Sequence, residues 1–243
     1  MHHQSYSMLE ESVEETFSMR AFMPRIILVF AIVIGLGHVI TFSSPPDEMM
    51  RFIWKFASVG TLALYACLCA RNFDGWLLTG VMLFSALSDI FLVTIGDIPG
   101  ALSFIVVDCL AIWLYCRHLR TEIGPLAFCL SAAFMVATAG LAYILPADRD
   151  EALGIAIFTL PLAAMAAFAI MSRFPRYMVG LGATLVLSSD LLIFARMGPL
   201  KDMPVGAEAV WLLYFVGEVL VVMGATRALR LVSQNSSFSQ PAT

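Results

Sequence analysis

The chain has 243 residues, of which 60% are hydrophobic and only 13% are charged. Soluble domains contain roughly 45 to 50% apolar and about 25% charged residues, so this composition excludes an ordinary water-soluble globule. The formal net charge of -4 is spread along the chain without a basic cluster, which gives no electrostatic support for nucleic-acid binding.

Eight apolar segments follow one another along the chain, separated by charged or Gly/Pro-containing breaks. Because a spanning helix needs about 20 mostly apolar residues, we predict an all-α polytopic membrane bundle of about eight transmembrane helices. The predicted spans are 25–42, 52–70, 75–95, 99–116, 125–145, 152–171, 177–196 and 207–231. Residues 1–24 lack the features of a secretory signal and are expected to form a polar cytoplasmic tail. Residues 232–243 are expected to form a disordered one.

Basic residues predict the orientation of this bundle, because Lys and Arg are retained on the cytoplasmic side of a membrane. With the N-terminus inside, nine of the 14 basic residues fall in cytoplasmic segments. The opposite side carries Arg51, Lys55, Arg149, Arg196 and Lys201. We therefore expect both termini in the cytoplasm, and the short loops without organelle signals fit a bacterial inner membrane. The tryptophans lie mostly toward span ends, which predicts interface anchors.

The five cysteines all lie in or beside apolar segments, and no two of them form a CxxC pair. Small buried apolar side chains are therefore a better interpretation than disulfides or metal ligands. We expect neither a metal nor another cofactor. The cysteines are Cys67, Cys69, Cys109, Cys116 and Cys129.

Four acidic residues lie more than one turn inside the predicted spans: Asp89, Asp108, Asp190 and Glu218. A charged side chain at this depth costs at least about 2.5 kcal/mol and almost always faces the bundle interior or a water-filled cavity. Counted from the non-cytoplasmic end of each span, the four lie about six to eleven residues deep and so form one layer. No Lys or Arg is expected inside the spans at matching depth, so the acids should lack a cationic partner. Carboxyl groups packed together there cannot all ionise, and at least one is expected to keep its proton.

Two of these acids occur in a repeated context, Ser88-Asp89 in the third span and Ser189-Asp190 in the seventh. The seventh span is the fourth after the third, so both run in the same direction, which suggests two parallel four-helix repeats. A protonated carboxyl beside an ionised one provides a general acid and a general base. We therefore predict that Asp89 and Asp190 are catalytic.

Further polar residues are expected to support this pair. Tyr214 lies four residues before Glu218 and so on the same helical face. His38, near the outer end of the first span, is within reach of the layer, although a packing role is the simpler interpretation. Asp108 and Glu218 are equally compatible with helix-to-helix hydrogen bonding. The predicted substrate-binding or supporting residues are Asp108, Tyr214, Glu218 and His38.

Short motifs around these acids resemble the YhhN family, whose animal members include lysoplasmalogenases. The motifs are Leu83 to Asp89, Ser188 to Asp190 and Trp211 to Glu218, and the resemblance extends from about Arg25 to Arg230. It implies an integral membrane hydrolase that cleaves the vinyl ether bond of a lysophospholipid held within the membrane. The products are a fatty aldehyde and a glycerophospho-alcohol, and no metal is needed.

The sequence departs from the family pattern in two spans. Many relatives have a His followed three residues later by a Tyr in the fourth span, where this chain has Asp108 and Ala111. Many have Gln in the eighth span, where this chain has Glu218. Both departures add acidity to the predicted site, so they bear on the headgroup preference and on the reaction itself.

Other functions remain open on the sequence alone. A proton-coupled transporter also uses membrane acids and repeated halves, although no predicted span is broken at its midpoint. A membrane zinc hydrolase needs several His ligands, whereas only His38 lies in a span. An intramembrane aspartyl protease would be expected to carry Gly-x-Gly-Asp, which neither Ser-Asp motif supplies. A structural scaffold is the simplest alternative, and four buried acids argue against it.

Overall fold

The computed structural model describes residues 22–40, 48–203 and 206–238. Within these residues the chain forms eight helices that are long and apolar enough to cross a membrane, which confirms the predicted all-α fold. The helices are α1 (Phe22–Ile40), α2 (Glu48–Cys69), α3 (Phe73–Thr94), α4 (Asp97–Arg117), α5 (Pro125–Ile144), α6 (Arg149–Met171), α7 (Leu181–Arg196) and α8 (Ala207–Phe238). A π-helical turn, Arg176–Gly180, leads directly into α7.

Several helices extend beyond the predicted spans into polar sequence. The helix α2 begins at Glu48, where we expected residue 52, and α6 begins at Arg149 with the Asp148 side chain capping it. An acidic first turn complements the helix dipole and lies outside an apolar window, so hydropathy alone places the start too late. The helix α8 continues to Phe238, into the segment we expected to be disordered from residue 232. The rest of the two predicted tails, residues 1–21 and 239–243, lies outside the described residues.

The eighth helix is the centre of the bundle and the fifth is at its edge. In the most apolar part of α8, 56% of the residues are buried, against 17% in α5. The helix α8 packs against α2, α3 and α7, whereas α5 packs mainly against α6. The helix α3 packs on α4 and α7 packs on α8, while α2 contacts α8 and α6 contacts α4.

Two glycines bring α7 and α8 into backbone contact. A methyl group on Gly182 would lie 2.6 Å from the carbonyl oxygen of Gly217, and one on Gly217 would lie 2.7 Å from the carbonyl oxygen of Gly182. Small residues permit this approach between membrane helices. Because Glu218 follows Gly217 directly and Asp190 lies two turns beyond Gly182, the contact fixes the spacing of two of the intramembrane acids.

The first helix is held to α8 by Trp211. The Trp211 indole Nε1 donates a hydrogen bond of 2.8 Å to the carbonyl oxygen of Gly35, and its ring stacks on Phe215 at 5.3 Å. Trp211 is only 3% exposed. The expectation that it anchors the protein at the membrane interface is therefore wrong, because its N–H is satisfied inside the bundle.

Candidate active site

A cavity inside the bundle is lined by three of the four intramembrane acids. It lies between α3, α4, α6, α7 and α8, and its volume, including the space that is open to the outside, is about 510 Å³. Its polar lining consists of Ser85, Asp108, Tyr115, Asp190, Tyr214 and Glu218. The remaining wall is apolar and includes Phe104, Val107, Phe158, Leu162 and Met165. We refer to this space as the acidic cavity.

Helical spacing explains why these side chains converge. On α8, Tyr214 and Glu218 are four residues apart and so project from one face. On α7, Asp190 follows the cavity-lining Val186 by the same interval. The fourth acid, Asp89, follows Ser85 on α3 by four residues and is 3% exposed, but it does not line the cavity. Its charge is nevertheless close enough to interact with those of Asp190 and Glu218.

Asp89 has a cationic partner, which corrects the prediction that the acids have none. The Lys55 Nζ lies 2.7 Å from the Asp89 Oδ1. The side chain of Lys55 is 37% exposed, whereas that of Asp89 is 3% exposed, so the pair joins a buried carboxylate to the edge of the bundle. The prediction failed because α2 begins at Glu48, which places Lys55 two turns inside the helix rather than at its end.

Several polar atoms of the site have no hydrogen-bond partner. Ser85 Oγ donates to Glu218 Oε1 at 3.4 Å, and Ser189 Oγ donates to Asp190 Oδ1 at 3.3 Å. Asp89 Oδ2, Asp108 Oδ2 and the Tyr214 hydroxyl are buried and have no hydrogen-bond partner among the described residues. An unsatisfied buried polar group costs roughly 1 to 3 kcal/mol, and such groups are retained at sites that bind water or a substrate.

His38 lies beside the site rather than in it. Its ring packs edge-on against Trp211 with the centroids 4.8 Å apart, and Trp211 in turn lies 5.9 Å from the ring of Tyr214. His38 is 1% exposed and does not line the acidic cavity. The structure therefore places Trp211 next to both His38 and Tyr214.

Sequence reasoning missed three polar residues of the site. Lys55 carried a signal, because a lysine inside an apolar helix is expected to pair with an acid. Ser85 carried one as well, since it lies four residues before Asp89 and therefore on the same face. Tyr115, 1% exposed, lines the cavity without any motif that marks it in the sequence. Among the described residues, no three or more His, Cys, Asp or Glu side chains are grouped so as to hold a metal ion.

Comparison with known proteins identifies the family of this chain. The model of the YhhN family matches residues 50–225, well over half of the sequence. The chain belongs to the YhhN family. No curated protein and no solved structure matches it. The matched region of this YhhN protein contains Lys55, Asp89 and every residue that lines the acidic cavity, whereas α1 with His38 lies outside it.

Proposed function

We propose that this protein hydrolyses the vinyl ether bond of lysoplasmalogens or closely related lysolipids. The observation that carries the proposal is the acidic cavity, in which Asp108, Asp190 and Glu218 meet Tyr214 inside an otherwise apolar bundle. Cleavage of a vinyl ether is acid catalysed and needs a proton donor, an anionic partner and water in one place. Membership of the YhhN family supports the same reaction class.

The reaction is a hydration followed by a collapse. A carboxyl group transfers its proton to the distal carbon of the vinyl ether, which leaves an oxocarbenium ion at the carbon bound to oxygen. Water adds to that carbon and returns a proton to the carboxylate. The resulting hemiacetal breaks its bond to the glycerol oxygen, which releases a fatty aldehyde and a glycerophospho-alcohol. Water is the only other reactant, and the enzyme ends in its starting protonation state.

We assign these roles to the two predicted catalytic residues. Asp190 lines the cavity and is assigned the proton transfers to carbon and from water. Asp89 forms an ion pair with the ammonium group of Lys55, so it is assigned the carboxylate form. The negative charge of this carboxylate stabilises the oxocarbenium ion. Tyr214, with its unpartnered hydroxyl in the same cavity, orients the attacking water.

The apolar part of the cavity wall suits the hydrocarbon of the substrate. Phe104, Phe158 and Met165 line the cavity together with aliphatic side chains from α4, α6 and α8. Burying each methylene of an acyl-type chain contributes about 0.8 kcal/mol, so such a wall supplies affinity without polar contacts. The polar groups are then free to act on the ether bond.

The test is aldehyde release by the purified protein in detergent. We expect release from lysoplasmenyl-ethanolamine and none from the alkyl analogue, which lacks the double bond that accepts the proton. Asp190→Asn should lower the rate by about 10² to 10⁴, the usual contribution of an acid–base residue. The exposed Glu122 provides a matched control, and Glu122→Gln should retain the parent rate. Full activity in both Asp190→Asn and Asp89→Asn would refute the assigned roles.

The alternative is a proton-coupled transporter. It is favoured by one observation, the series of interacting ionisable groups from the half-exposed Lys55 through Asp89 to Asp190 and Glu218. Within the described residues, however, each of the eight membrane helices is continuous through its middle. Solute flux driven by a pH gradient in liposomes, together with no turnover of any vinyl ether lipid, would favour transport over hydrolysis.

A further inference from the structure

A second cavity lies toward the other end of the bundle, between the end of α2, the start of α3 and the second half of α8. Its volume, including the space that is open to the surface, is about 260 Å³. Two arginines, Arg71 and Arg230, line it, and we refer to it as the basic cavity. The rest of its lining consists of Ala66, Cys69, Ala70, Asn72, Gly75, Leu78, Thr226 and Leu229.

The charges around the basic cavity favour an anion. Arg230 donates one hydrogen bond, from Nη2 to the Cys69 Sγ at 2.8 Å. A guanidinium has five N–H donors, so most of its donors remain available. The helix α3 begins at this cavity, and its 22 residues direct a positive dipole end toward it. The nearby Asp74 carboxylate is engaged elsewhere, 2.5 Å from Arg117 Nε and 3.0 Å from His118 Nε2.

Thr226 provides an independent indication of a ligand. It is 3% exposed, lines the basic cavity, and its hydroxyl has no hydrogen-bond partner. Helical Ser and Thr residues usually donate to the carbonyl four residues earlier. In this bundle Ser58, Thr61, Thr79, Ser88, Thr138, Thr159, Thr184 and Ser188 all do so. Thr226 does not, although it lies in the middle of a continuous helix.

We propose that the basic cavity binds an anionic phosphate group. The Arg71 and Arg230 guanidinium groups bind its oxygens, and the Thr226 hydroxyl donates a further hydrogen bond. Charge-assisted hydrogen bonds of this kind are among the strongest that a protein makes. Both the headgroup of an anionic phospholipid and a soluble phosphate present this chemistry. Basic pockets between membrane helices at the cytoplasmic side are a recognised form of lipid headgroup site.

The experiment measures the thermal unfolding midpoint of the full chain with two probes. The protein is placed in phosphatidylcholine nanodiscs, to which either inorganic phosphate or phosphatidylglycerol is added. We expect the midpoint to rise with probe concentration, because a ligand that binds only the folded state stabilises it. A rise with inorganic phosphate identifies a soluble phosphate site, whereas a rise with phosphatidylglycerol alone identifies a lipid headgroup site.

Three variants separate a built site from general surface charge. Arg230→Gln and Thr226→Val should each bind the effective probe about tenfold more weakly. Arg173→Gln removes an exposed arginine outside the cavity at the same end of the bundle and should bind like the parent. Because the Thr226 hydroxyl has no partner, Thr226→Val should unfold without probe at the parent temperature or above it.

Three results would overturn the proposal. The first is the absence of a midpoint shift with either probe. The second is an equal loss of binding in Arg173→Gln and Arg230→Gln, which would indicate general charge attraction. The third is unchanged binding in Thr226→Val. These outcomes are independent of vinyl ether hydrolysis, since Arg71, Thr226 and Arg230 do not line the acidic cavity.

Discussion

The acidic and basic cavities lie along the same two helices, α3 and α8, yet they hold their charges differently. Glu218 and Asp108 are 5% and 4% exposed within the apolar bundle. Arg71 follows the end of α2, Arg230 lies on α8, and both side chains are exposed. A buried charge inside an apolar bundle is costly and is usually functional, whereas an exposed charge costs little. Under the two proposals, the buried acids carry out chemistry and the accessible arginines bind a ligand.

Beyond the two aspartate variants, the largest effect should follow the loss of a hydroxyl from the acidic cavity. Tyr214→Phe keeps the ring but removes the group that we assign to water orientation, so we expect aldehyde release to slow by about a hundredfold. Stability should not fall, because this hydroxyl is buried without a partner. Tyr177→Phe, at an exposed tyrosine outside the cavity, is the matched control. A stability loss with full activity in Tyr214→Phe would assign the hydroxyl a structural role.

The next effect concerns the backbone contact that places two of the acids. Gly217→Ala introduces a methyl group 2.7 Å from the carbonyl oxygen of Gly182, and overpacking of this kind costs about 2 kcal/mol. We expect a lower unfolding midpoint in detergent, with activity reduced in the protein that remains folded. Gly140→Ala on α5 meets no atom within 4 Å and should not destabilise the protein. Equal stability in both variants would contradict the close packing of α7 on α8.

A smaller effect is expected from the ion pair between α2 and α3. Lys55→Met leaves the Asp89 carboxylate buried without its cation, which usually costs several kcal/mol. Lys55 is 37% exposed, so water offsets part of this, and we expect about 1 to 2 kcal/mol of destabilisation. Adding Asp89→Asn should restore most of the loss, as measured by unfolding of the single and double variants. Lys201→Met, at an exposed lysine, is the control.

The smallest effect should follow the loss of the ion pairs that Asp74 forms near the start of α3. Asp74→Asn removes the ion pairs with Arg117 and His118, of which Arg117 is 43% exposed. Pairs of this kind contribute less than about 1 kcal/mol and are screened by salt. We expect a small drop in the unfolding midpoint that shrinks as the salt concentration rises. A drop larger than that of Lys55→Met would show that the two ends of the bundle do not differ as described.

The fold was predictable because its determinants are local. Runs of about 20 apolar residues broken by polar turns specify spanning helices in any context, and the expected small-residue contacts occur at Gly35 and Gly182. Helix ends were less predictable, since their polar turns lie outside any apolar window. For that reason the starts of α2 and α6 were placed too late.

The candidate site was predictable as a set of residues but not as a geometry. Acidic side chains in a membrane helix indicate an interior site, because exposing them to lipid costs too much free energy. The structure places Asp108, Asp190 and Glu218 around one cavity. Which side chains pair depends on the rotation of each helix about its own axis, and the sequence does not give this rotation directly. This is why Lys55 was assigned to the surface and why Trp211 was interpreted as an interface anchor.

The positions at which the sequence analysis expected a departure from the family pattern lie together in the structure. Asp108, Ala111 and Glu218 lie on two different helices but line the same cavity. Asp108 and Glu218 are close enough for their charges to interact. Ionisation of either carboxyl group therefore affects the other.

The position of Asp190 near one end of α7 has a consequence for how a lipid would arrive. Asp190 lies six residues before the end of α7 at Arg196, a rise of about 9 Å. The headgroup region of a bilayer is roughly 5 to 7 Å thick on each side, so a helix end within it would put Asp190 near the outer edge of the hydrocarbon, where a lysolipid carries its glycerol linkage. For the proposed reaction, a substrate in the leaflet on the Arg196 side needs only lateral diffusion to reach the proton donor. A substrate in the other leaflet has first to flip across the bilayer.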